Sequence, residues 1–118
     1  MAAPYVLIPA DAVLVLDTVT TGSGILMIKG QCARLTVVLE STGTTSGGAV
    51  TIEEAYYDPN DDPYAGTWSA IGTAINASAF TGGAQLVTHA LGSFWAVRIR
   101  VSSNITGGGT IKCWAWGN

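Results

Sequence analysis

The sequence predicts an all-β protein: an antiparallel β-sandwich, jelly-roll or Ig-like in its connections, of about eight or nine short strands. Three observations carry that expectation. Short runs rich in Val, Ile, Thr and aromatic residues recur along the whole chain. Clusters such as TTGSG, STGTTSGG, DPNDDPYAG, TGGA, LGS and SSNITGGG separate them, and such compositions favour turns. No sustained stretch keeps a helical apolar period free of glycine and β-branched residues.

The elements follow in order. Tyr5–Ile8 lies between Pro4 and Pro9, which keep it out of a central strand, so residues 1–11 form an extended apolar arm. The arm rests on its own subunit or drapes over a neighbour. A single domain occupies 12–118, beginning with strands Ala12–Val19 and Gly24–Ile28 on either side of TTGSG. Ala33–Glu40 alternates, with Leu35, Val37 and Leu39 facing inward. STGTTSGG has no apolar anchor and reads as a mobile connection. Ala49–Tyr57 sends Val50 and Ile52 inward and Glu53 and Glu54 to opposite faces, where one glutamate can pair with Arg98 or Arg100 across strands. Thr67–Ile75 is the next strand, and AINASAF holds at most one helical turn. Ala84–Ala90 and Phe94–Ser102 follow, separated by LGS as a turn, and Thr110–Trp116 closes the sheet. Phe94–Ser102 puts Trp95, Val97, Ile99 and Val101 on one side and Phe94, Arg98 and Arg100 on the other. Thr110–Trp116 does the same with Ile111 and Cys113 inward and Lys112, Trp114 and Trp116 outward.

At 118 residues the chain is large enough for one core that buries roughly two-thirds of the unfolded surface, so no disulfide or metal is needed for folding. Only 11% of its residues are charged, whereas soluble surfaces usually carry about 25–35%. A largely neutral surface suits a subunit that partners cover. The net charge is −3, and the five cations, Lys29, Arg34, Arg98, Arg100 and Lys112, are scattered; phosphate backbones need a basic patch, so nucleic acid is not an expected partner. The apolar start lacks a basic region and is broken by Pro9 and Asp11, unlike a signal peptide, and no run has transmembrane length, so no membrane partner is expected. Cys32 and Cys113 then read as free packing thiols.

Few residues suggest chemistry. Asp58, Asn60, Asp61 and Asp62 could offer oxygens to calcium, but the loop lacks the EF-hand order and its distal glutamate, so turns are favoured and no metal is expected. His89 is the sole histidine and has no second ligand type near it. No nucleophile elbow is present, and neither an enzyme nor a cofactor is expected. NAS at Asn76 and NIT at Asn104 read as loop residues that tolerate a left-handed backbone. The outward tryptophans and arginines are the exception, because both types dominate protein-binding hot spots. Phe94, Arg98, Arg100, Trp114 and Trp116, with Tyr5, Val6, Leu7 and Ile8 of the arm, are therefore the candidate interface. Exposed tryptophans could instead stack on sugars, although only Asn118 lies near as an acceptor, and a bulge could instead turn both faces inside a closed sandwich.

GAVTIEEAYYDPNDDPYAGTWSAIGTAI, followed by FWAVRIRVSSNITGGGTIKCWAWGN, resembles small β-sandwich structural proteins of tailed-bacteriophage virions. The resemblance rests on Val50, Ile52, Glu53, Asp58, Thr67, Trp68, Ile71 and Gly72, then on Trp95, Val97, Arg98, Val101, Gly107, Gly108 and Thr110. Such modules serve as head decoration (cement) proteins, head-completion pieces and tail or fibre domains. The resemblance implies a capsid decoration protein, a homotrimer at shell three-folds that bridges major capsid protein subunits or another virion protein. It implies a place on the head surface after assembly in the host cytoplasm. The DPNDDPYAGT loop and the apolar arm depart from the simplest version. A tail or fibre component remains an alternative, as does a carbohydrate-binding module using its tryptophans.

Overall fold

A computed structural model describes residues 12–55, 67–82 and 85–117; within these, the side chains of 26–33, 85, 89 and 91–95 stay outside the description. The chain forms β1 (Val13–Val19), β2 (Ser23–Thr42), β3 (Gly47–Ala55), β4 (Ser69–Ala70), β5 (Ile75–Asn76), a 3₁₀ turn η1 (Ala77–Phe80), β6 (Gln85–Thr106) and β7 (Thr110–Gly117). All pairings are antiparallel, in the order β1-β7-β2-β6-β3-β4, with β5 also on β3.

Two strands make this ladder a sandwich. The first half of β2 pairs with the second half of β6, and the second half of β2 pairs with the first half of β6. Register shifts lie between, from Met27 to Cys32 and from Cys32 to Arg34. β7 then adds to the late part of β2, while β3 adds to the late part of β6. One layer is therefore β1, β7, late β2 and early β6; the other is early β2, late β6, β3, β4 and β5. Counting each long strand in both layers gives nine strands of an antiparallel sandwich, within the expected eight or nine. The alternation records the fold-over. Leu86 and Ala90 of early β6 pack on the core, but in late β6 the core residues are Val97, Ile99 and Val101, so even positions give way to odd. An odd number of extra residues at a bulge exchanges the faces of a strand in this way.

Several expectations need correction here. LGS does not break the chain into two strands, nor does the stretch between Ile28 and Ala33, because bulged strands keep their hydrogen-bonded partner through the bend. Thr67–Ile75 is not one strand: a bend at Gly72, with φ of +75°, splits it into the two-residue β4 and β5. STGTTSGG is anchored rather than loose. Thr45 is buried; its amide donates to Thr81 Oγ1 at 2.7 Å and its hydroxyl to the Ala77 carbonyl at 3.0 Å. The anchor is polar, so apolar patterning gave no sign of it.

The core lies between the layers. Leu35, Val37, Leu39, Ile111, Cys113 and Leu16 face Val50, Ile52, Val97, Ile99 and Val101, and Phe80 of η1 is buried among them. Apart from Leu16 and Phe80, which the sequence did not single out, these inward positions are the expected ones; the side chain of Trp95, also expected there, is outside the described set. AINASAF supplies the single 3₁₀ turn. Neither Asn76, at φ −69°, nor Asn104 adopts the left-handed backbone; Thr18 is the only non-glycine with positive φ among the described residues. Gly24 lets β1 cross close over β2, since a Cβ there would collide with the Val15 carbonyl.

Candidate functional site

The layers leave two outward faces pointing in opposite directions, and the candidate residues divide between them. Trp114 and Trp116 sit on the face of the β7 layer, because their neighbours Ile111, Cys113 and Ala115 point into the core. Arg98 and Arg100 sit on the far side of the molecule, on β6, opposite the core residues Val97, Ile99 and Val101. They are not one patch.

On the first face, register places Leu14 beside Trp114, Trp114 beside Val38 and Val38 beside Val87. Directly opposed residues share a face, so these four form an apolar row across four strands. Val38 is 0% exposed although it lies outside the core cluster. The next row holds Trp116 beside Thr36, and Thr36 is also buried. A water-facing sheet would carry polar residues at these positions. Trp114 Nε1 is shielded from solvent and has no acceptor among the described residues, a situation that costs about 1–3 kcal/mol for a buried donor. Polar groups border the row: Lys112 opposes Glu40, and its Nζ lies 3.8 Å from Asp17 Oδ1. With Asp17 62% exposed, that ion pair contributes little.

The second face centres on Glu53, whose side chain is only 9% exposed. Arg98 Nε and Nη2 donate to Glu53 Oε1 at 2.9 and 2.6 Å, and Arg100 Nε donates to the same oxygen at 3.0 Å. Arg98 also lies over the Trp68 ring, 4.7 Å from its centroid, a cation–π distance. Burial pushes the Glu53 carboxyl up, but the hydrogen bonds and charges of Arg100 and Arg98 outweigh it and hold the group below its ordinary value. The expected cross-strand pair thus engages both arginines. Beside it, Thr51 donates to Ser102 Oγ at 2.9 Å, and Ile25, opposite Arg98, is 50% exposed.

Between the layers, near β3 and β5, opens a cleft of about 280 Å³ lined by Leu35, Val37, Ile52, Ile71, Ile75 and Ala90, with Thr73 and Thr88 as its hydroxyls. Cys113 is a free, buried thiol whose pKa burial pushes far up, which leaves it unreactive. No group of three metal-ligating side chains occurs among the described residues, and no described helix is long and apolar enough to cross a membrane.

Tyr5, Val6, Leu7 and Ile8, the Asp58, Asn60, Asp61 and Asp62 loop, and the side chains of Phe94, His89 and Cys32 lie outside the described residues. Several participants escaped sequence reasoning, among them Val38, Leu14, Val87, Ile25 and Trp68. Val38 had a signal, the Val37–Val38–Leu39 run that breaks polar alternation. Leu14 and Trp68 had none, because their partners are set by register and by a loop return. No protein-family model matches the sequence, and no curated protein matches it.

Proposed function

We propose that this chain is a non-enzymatic structural protein of a tailed-bacteriophage virion, a head decoration (cement) protein that bridges neighbouring shell subunits. The observation that supports this reading is the apolar row on the β7-layer face, where half-buried Leu14, Trp114 and Val87 flank the fully buried Val38, in a chain with 11% charged residues. A row of that kind, bordered by Lys112, Glu40 and Asp17, has the make-up of an interface: an apolar centre with an aromatic, inside a polar rim. The cementing action would come from burying neutral surface on more than one shell subunit at once. Release of one contact then leaves the others holding, so the effective concentration for rebinding stays high. A closed trimer would multiply those contacts again.

The test is cosedimentation of purified protein with heads of the encoding phage that lack it, together with the protein's mass by light scattering. A trimer that saturates the heads and raises their melting temperature is expected. Trp114→Ala and Trp116→Ala should keep a folded protein and weaken head binding by about tenfold or more, as loss of a hot-spot aromatic does. Equal binding by these variants, or glycan binding without head binding, would overturn the reading.

A further inference from the structure

The opposite face carries a different chemistry, independent of where the protein works. Glu53 satisfies Arg98 with two short hydrogen bonds, and Trp68 stacks on that guanidinium. Arg100 is less committed. Its Nε donates to Glu53 Oε1 at 3.0 Å, its only other contact among the described residues is Nη2 to Oε2 at 3.5 Å, and its side chain is 41% exposed. One carboxylate against two guanidiniums leaves the cluster with a local charge of about +1, on a chain whose net charge is −3.

We infer that this face receives a carboxylate from an acidic polypeptide segment, which docks on the Nη1–Nη2 edge of Arg100 while an adjoining apolar residue covers Ile25. A guanidinium presents two parallel donors along that edge, spaced for the two oxygens of a carboxylate. Arg98 is the positioning residue: held by Glu53 and Trp68, it fixes Glu53, which in turn fixes Arg100. Ile25, opposite Arg98 on β2 and 50% exposed, supplies the apolar neighbour. Among the described residues, the neighbours of Arg100 on this face include the uncharged hydroxyls of Thr51 and Ser102, bonded to each other. A polyphosphate fits less well. One surplus charge is too few for a nucleic-acid backbone, which needs several cations along its track.

The experiment is an NMR titration of the full chain with the acetylated peptide Glu-Leu-Glu-Leu-Glu-Leu, its glutamine counterpart, and a single-stranded oligothymidylate. The Glu peptide should shift the Arg100 Nε–H signal and the Ile25 methyls, and the Gln peptide should bind at least tenfold more weakly. Raising salt from low to physiological strength should weaken the Glu complex severalfold. Arg100→Lys keeps a cation facing Glu53 but loses the fork, and it should weaken Glu-peptide binding about tenfold in a chain that still folds and melts cooperatively. Ile25→Ser leaves the ion cluster intact and checks the apolar contact should Arg100→Lys disturb the fold. Equal binding of the two peptides, shifts that avoid Arg100 and Ile25, or an Arg100-dependent preference for the oligothymidylate would each overturn the assignment.

Discussion

Replacing Glu53 by Gln keeps the shape of the side chain and removes its charge, which isolates the ion cluster from packing. Oε1 accepts three hydrogen bonds at 3.0 Å or less from two guanidiniums. Bonds to charged groups contribute roughly 1.5–3 kcal/mol each, which sets an upper limit. The guanidiniums are 24% and 41% exposed, so they regain water, and a glutamine oxygen still accepts. Solvent screening lowers the figure further. The expected loss near pH 7 is about 1–3 kcal/mol, or ~4–12 °C in melting temperature for a domain of this size. The folded pKa of Glu53 lies below its ordinary, unfolded value. Its contribution is therefore complete above the unfolded pKa and is lost as pH falls through the folded one. Urea unfolding of both proteins from near pH 7 to about pH 2.5 should show the stability gap closing, because protonated Glu and Gln are then equivalent. Every other carboxyl titrates alike in both chains and cancels. A gap that stays constant to the lowest pH, or no gap at neutral pH, would refute the electrostatic account of this cluster.

Two glycines separate backbone strain from collision. Gly72, at φ +75° with no atom near a built Cβ, should lose only ~1–2 kcal/mol as Gly72→Ala. Gly48, at φ +101° with a built Cβ 2.6 Å from the Asn104 carbonyl oxygen, should lose a further ~1–3 kcal/mol as Gly48→Ala, measured by the same denaturation. Phe80→Ala should cost ~3–5 kcal/mol in thermal unfolding, since the ring is fully buried and its loss leaves a cavity. Iodoacetamide followed by peptide mass mapping should leave Cys113 unmodified in the folded protein and alkylate it in urea, because burial suppresses its thiolate.

The strand period told which residues share a side, and nothing more distant. Leu35, Val37 and Leu39, Val50 and Ile52, Val97, Ile99 and Val101, and Ile111 and Cys113 face the core as their alternation requires. That much is local, because successive side chains on any extended backbone point to opposite faces. The same alternation placed Trp114, Trp116, Arg98 and Arg100 outward, and they are outward. Alternation carries no information about which layer a face belongs to. That depended on β2 and β6 bending through register shifts and passing from one layer to the other, which put the tryptophans and the arginines on opposite sides of the molecule. The apolar row from Leu14 to Val87 and the meeting of two arginines at Glu53 depend on pairings between residues far apart in the chain. Composition and period, then, determined an all-β chain and its inward faces, because both follow from backbone geometry and the burial of apolar side chains. Tertiary structure alone decided the two outward surfaces, because register is set by the packing of the whole sheet rather than by any one strand.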